Sequence, residues 1–199
     1  MKNQLVDLEK NDKIDVVEDS LFVLLAPEYS SAKKYSLTLA FPTANVSAEV
    51  YGLFALRGVQ QLDLEIRSSH YSSDTVCNVD IRTALLDTTS ASFRGLITVA
   101  KDACGTVSNL SHKTVVMGNG TVNVSQPELQ ISNNNVQVSH ASTTGRISQK
   151  DLYYLTGRGL SVEQAEAVIL EGFFQELLDK ISTGRIVQRV SESLGIFDA

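Results

Sequence analysis

The sequence predicts a mainly β chain, a right-handed parallel β-helix followed by a C-terminal α-helical segment. Three observations predict it. Apolar residues alternate with polar or small ones in short runs from about Ile14 to Val138, the period-two pattern of strands with one buried face. Asn-Gly hairpin signals are nearly absent, Asn119-Gly120 being the one example, so successive runs read better as stacked coils than as hairpins. After Gly145 the apolar period changes to steps of three and four, as helices require. An antiparallel sandwich of short strands is the alternative that spacing alone leaves open.

Residues 1–13 are read as an N-terminal segment. Met1 to Asn11 lacks the apolar stretch of a signal peptide, and no apolar run approaches the roughly 20 residues that span a bilayer. A cytoplasmic protein with no membrane partner is the expectation.

Residues 14–145 are read as the β-helix core. Leu37, Leu39 and Phe41 alternate with polar or small residues, as do Leu62, Leu64 and Ile66. Ser, Asn, Asp and Gly break the runs, as turn formers do. From Thr114 onward, apolar pairs fall at Val115 and Met117, Val122 and Val124, Leu129 and Ile131, and Val136 and Val138, each pair starting seven residues after the last. Four-residue strands on three faces would then make a coil of about 21 residues.

Residues 146–199 are read as the helical segment. A short helix starts near Ser148, and Ser161-Val162-Glu163-Gln164 reads as a capping box. The helix behind it carries Val162, Ala165, Ile169, Phe173, Leu177 and Ile181 on one stripe, widened by Ala167, Leu170, Phe174 and Leu178. Gly184 is expected to end it, and a last helix runs from about Arg185 to Leu194. The simplest arrangement is a cap on the end of the solenoid.

Composition narrows the function. With 17 basic against 23 acidic side chains, a net charge of -6 and no basic stripe, the chain lacks the clustered cations that nucleic-acid binding uses. It holds no Gly-x-x-x-x-Gly-Lys-Ser/Thr phosphate loop. Cys77 and Cys104 are too few and too far apart for a disulfide framework, and both are expected to be small buried hydrophobes. The solenoid acids Asp63, Glu65, Asp80 and Asp87 form no evident repeated cluster, which argues against a carbohydrate-active β-helix enzyme, whose chemistry needs paired carboxylates.

Three ordered motifs carry a family resemblance. They are Pro127-Glu128-Leu129-Gln130-Ile131 followed by Val136-Gln137-Val138-Ser139-His140-Ala141-Ser142-Thr143-Thr144-Gly145, then Leu152-Tyr153-Tyr154-Leu155 with Gly157-Arg158-Gly159-Leu160, and finally Glu171-Gly172-Phe173-Phe174. Together they resemble the SufB/SufD family of iron–sulfur cluster assembly, in its SufD-like form. Phe93-Arg94-Gly95-Leu96-Ile97 and His70 with Thr75 are weaker echoes upstream. Family members usually carry a longer N-terminal helical region and more coils, so this chain resembles a short form.

The resemblance implies a non-enzymatic scaffold that pairs with a SufB-like subunit, or with itself as a homodimer. It further implies that a SufC-type ABC ATPase docks on the C-terminal helices, with Phe174, Leu178 and Phe173 as candidate contacts. His140 aligns with a SufD histidine at the subunit boundary, where iron or a transient iron–sulfur cluster is implied. Imidazole can ligate iron there. His112 aligns with the cysteine position of SufB, and His112 with His140 is a candidate imidazole pair. Their separation of 28 residues does not demand proximity, and a solvent-facing His112 is the simpler expectation. A purely structural subunit with no role at a cluster is the remaining alternative.

Overall fold

The computed structural model describes residues 1–25 and 34–195. Among the described residues eleven strands precede three helices: β1 (Lys2–Asp7), β2 (Lys13–Asp15), β3 (Ser20–Leu25), β4 (Lys34–Phe41), β5 (Ser47–Leu56), β6 (Gln61–His70), β7 (Val76–Leu85), β8 (Ser90–Val99), β9 (Val107–Val116), β10 (Val122–Ile131) and β11 (Gln137–Arg146), then α1 (Gln149–Thr156), α2 (Val162–Leu178) and α3 (Gly184–Leu194). Odd strands form one parallel sheet in the order β1-β3-β5-β7-β9-β11, and even strands form the other in the order β10-β8-β6-β4-β2. The chain is a parallel β-solenoid, as the alternation and the missing hairpin signals predict.

The coil differs from the expected one. Ser47 pairs with Val76, 29 residues on, and Ser90 with Val122, 32 residues on. From β5 onward each full turn therefore holds two ten-residue strands on two faces, not three short strands. The seven-residue spacing misleads because Val122-Val124 and Leu129-Ile131 lie at the two ends of the single strand β10. Seven is odd, so the two pairs face opposite sides of the sheet. The solenoid also starts earlier than Ile14, because β1 pairs with β3 from Lys2 onward.

Inward residues of both sheets fill the lumen. Phe22, Leu37, Leu39, Phe41, Phe54, Ile66, Ile81 and Ile97 are all at most 1% exposed. At about 25 cal/mol per Å² of apolar area removed from water, this is the main stabilising term. Turns stack tightly at the corners: a Cβ on Gly118 would overlap the carbonyl oxygen of Asp87 one turn below, so only glycine fits. Outer faces carry registered polar ladders. Asn78 donates to Glu49, Asn109 to Asn78 and Ser139 to Asn109, at 2.6–2.9 Å. On the even sheet Arg94 holds Glu128 through two bonds of 2.9 and 3.0 Å.

Helices α2 and α3 cover a flank, not an end. Leu170, Phe174, Leu177, Leu178, Ile186, Val190 and Leu194 pack on Leu21, Val23, Leu53, Ala55 and Ala84 of the odd sheet's outer face. Ser161 caps α2 as predicted, accepting from the Gln164 N–H at 3.2 Å while Gln164 bonds back at 2.9 Å. Gly184 does not end this helix: α2 stops at Leu178, and Gly184 opens α3. Arg82 anchors α2 from below. It is 3% exposed at its side chain, donates to the Phe173 carbonyl, and meets Glu176 at 2.6 Å. No helix among the described residues is long and apolar enough to cross a membrane.

Candidate functional site

The last turn is where the solenoid stops stacking. β10 pairs only with β8, and β11 only with β9, so each presents one free edge. Without a further coil above them, the lumen-facing Leu129 and Ile131 remain 37% and 44% exposed. Val136 and Val138 pack partly against the core beneath. The result is an open mouth, apolar at the corner of residues 132–136 and polar at the opposite corner.

The polar corner is built by register. His140 pairs with Leu110, and Ser142 with His112. Leu110 is 2% exposed and His112 1% exposed, so the inward face of β9 continues as His140, Ser142 and Thr144 on β11. His140 and His112 thus share one face of adjacent strands, offset by two residues. From strand spacing and rise their Cα atoms stand about 8 Å apart. The structure brings the pair onto one face; His140 is exposed and His112 is buried, which corrects the expected solvent-facing His112.

His112 is fully surrounded. Its Nδ1 lies 2.9 Å from the Ser125 hydroxyl, and its Nε2 lies 3.2 and 3.3 Å from the hydroxyls of Thr83 and Thr114. The Phe93 ring sits 4.3 Å away, centroid to centroid. Burial pushes its pKa down to about 4, since a charged imidazole would lose its hydration there. Ser125 bonds onward to Ser142 at 2.8 Å, and Asn123 to Thr144 at 2.8 Å. These hydroxyls were not singled out from sequence. Their signal is the run of small polar residues at alternate, inward positions.

His70 is the second buried imidazole. It stacks on Phe41 at 4.5 Å, bonds Thr75 at 2.8 Å, and its pKa also falls to about 4 through burial. Cys77 is buried, which drives its thiol pKa up, whereas Cys104 is exposed in a turn beside Ser73, against expectation. Phe174 and Leu178 are 0% and 4% exposed inside the flank core, and Phe173 lies half-buried over Arg82. α1 has no buried residue and leaves Tyr153 and Tyr154 at 82% and 59% exposed.

The solenoid carboxylates do not converge. Glu65 lies between Lys34 and Arg67 on the even sheet, Asp80 lies beside Arg82 under α2, and Asp87 accepts from the Gly58 N–H in a corner. Among the described residues no three His, Cys, Asp or Glu side chains come together as a metal site.

Comparison with known proteins places the solenoid from residue 11 onward in one group. Residues 11–173 match the family model described as SUF system FeS cluster assembly, SufBD core domain. The chain is 29% identical over 165 residues to an iron–sulfur cluster assembly SufBD family protein of Mycobacterium leprae, covering 79% of this chain and 42% of that protein. It is 31% identical over 114 residues to the iron–sulfur cluster assembly protein SufD of Escherichia coli, covering 57% and 27%. To SufB of Bacillus subtilis it is 26% identical over 144 residues, covering 70% and 31%. The chain spans less than half the length of these relatives.

Proposed function

The chain belongs to the SufBD core-domain family of SUF iron–sulfur cluster assembly, and on that footing we propose that it is a SufD-like scaffold subunit whose open mouth is a pairing surface. The observation that carries this is the last turn itself. It leaves two strand edges unpaired and its lumen apolar residues exposed, with His140 on the lumen face between them. β11 holds no proline and no charged side chain before Arg146, so its edge accepts another strand more readily than β10, which carries Pro127 and Glu128. The occupant is a SufB-like subunit or a second copy of this chain.

In this reading His140 touches iron or a nascent cluster at the boundary, and the partner supplies the thiolates. Iron and the cluster are cargo, not a resident cofactor. His112, with both nitrogens engaged, would have to release Ser125 before it could bind metal. A SufC-type ATPase docks on the C-terminal helices through α1, where Tyr153 and Tyr154 are exposed and Arg158 stacks at 5.2 Å on the Tyr154 ring. Phe174 and Leu178 are already covered by the chain's own sheet, so the docking face uses their exposed neighbours. The chain acts by holding partners and cargo, not by catalysis.

Anaerobic co-purification with a SufB-type subunit and a SufC-type ATPase from the same genome tests this. A stable complex whose iron and sulfide fall in His140→Ala is the expected result. A complex with unchanged iron makes the chain a structural subunit alone, and failure to form any complex overturns the scaffold reading.

A further inference from the structure

We infer that His112 is a positioning residue for the mouth: as its Nε2–H tautomer it ties the exposed last turn to the buried turns beneath, and so sets where His140 stands. The task given to His140 rests on the reading above; the tie itself does not.

The tie is a chain of bonds across the lumen. Ser142 of β11 donates to Ser125 of β10 at 2.8 Å. The Ser125 hydroxyl accepts from Ser142 and keeps its own proton to give, and in the inferred tautomer it gives that proton to Nδ1 of His112, 2.9 Å away. Nδ1 is then the acceptor, and the ring proton sits on Nε2. Nε2–H points between Thr114 on the same strand and Thr83 of β7, at 3.3 and 3.2 Å. Phe93 of β8 closes over the ring at 4.3 Å. One imidazole therefore contacts both sheets and links β7, β9, β10 and β11.

The last turn needs such a tie. Lower turns are held by lumen side chains packed on both sides, whereas the apolar residues at the mouth lose one layer and remain exposed. Hydroxyl and imidazole bonds replace that packing on the polar side. Ser142 stands two residues beyond His140 on the same strand face, so fixing Ser142 fixes the stretch that presents His140. A free ligand would keep a nitrogen open toward the mouth; His112 keeps neither.

The test uses the full chain with two readouts that need no iron. Long-range proton–nitrogen NMR of the imidazoles should show His112 protonated at Nε2 and bare at Nδ1. Hydrogen exchange should then show β10 and β11 amides opening about ten-fold faster in His112→Phe, near the net worth of one hydrogen bond, with β5–β8 unchanged. Ser125→Ala should give a similar rise, and the double variant should be no faster than the more affected single one. An Nδ1–H tautomer, additive effects, or a change spread evenly through β5–β8 would overturn the tie. Should His112→Phe fail to fold, Ser125→Ala and Ser142→Ala carry the same comparison, and unchanged exchange in both overturns it. Unchanged iron in His140→Ala would overturn the role of His140 while leaving these readouts intact.

Discussion

The turns built from β5 to β8 and the turn built from β10 and β11 have the same strand length and opposite interiors. In the first, Phe54 and Ile66 are 0% exposed between layers above and below. In the second, residues of the same chemistry, Leu129 and Ile131, are left facing solvent. The far end of the solenoid differs again: β1 and β2 carry Lys2 with Glu18, Lys10 with Asp7 and Lys13 with Asp15 as exposed ion pairs. Charge along an edge discourages strand addition. What burial and edge charge together teach is that one end of this solenoid carries charge along its edge, whereas the other leaves apolar lumen side chains and an uncharged stretch of β11 exposed.

The largest effect should separate the two interiors directly. Phe54→Ala removes a side chain packed on all sides and should cost about 3–5 kcal/mol, as large-to-small core changes do. Ile131→Ala should cost under about 1 kcal/mol in the isolated chain, because the side chain keeps much of its exposure. Urea unfolding measures both, and equal costs would break the contrast. The same Ile131→Ala change should weaken partner capture, which Phe54→Ala reaches only through folding.

Acid should loosen the polar lumen next. His70 and His112 have folded pKa values lowered from 6.5 to about 4. In the unfolded chain they take up protons near pH 6.5, whereas in the folded chain they stay neutral until about pH 4. The unfolded state therefore binds more protons across that window. Stability contributed by their neutrality is fully present above pH 6.5 and is lost as pH falls toward 4, by up to about 1.4 kcal/mol per pH unit for each histidine. Urea midpoints from pH 7 to 4 follow this, and His112→Phe should flatten the slope. An unchanged slope would mean that His112 contributes nothing to it.

A smaller effect distinguishes the flank from the mouth. Gly172 lies inside α2, and a Cβ there would meet nothing within 4 Å. Gly172→Ala should therefore stabilise by about 0.5–1 kcal/mol through helix propensity alone. Thermal unfolding with hydrogen exchange should place the gain in α2 and leave β10 and β11 unmoved. A destabilised variant would show that the glycine serves a close approach absent from this fold.

Much of this architecture was legible in residues. Alternation, the scarcity of Asn-Gly and the change of period after Gly145 mark a solenoid with helices behind it, and the Ser161 box marks where α2 begins. The coil length was not legible, because Pro127 sits where β10 passes from outward Val124 to inward Leu129 and the strand reads as two. Nor was the place of His112. On β9 the inward set Ser108, Leu110, His112, Thr114 and the outward set Val107, Asn109, Ser111, Lys113 are both mixed in polarity, so alternation cannot say which face is buried. Arg82 looks like an ordinary surface charge until α2, some 90 residues later, lies across it. Motif resemblance located His140, but the open mouth around it is a property of stacking, visible only when the last coil has nothing above it.

Hydrogen exchange of the full chain with and without a SufB-type partner tests the central claim most directly. Slowed exchange confined to β10 and β11, with a light-scattering mass of one copy of each chain, is the result expected if the open turn is the pairing surface. Slowed exchange on the even sheet's outer face or on β1 and β2, with the last turn unchanged, would contradict it.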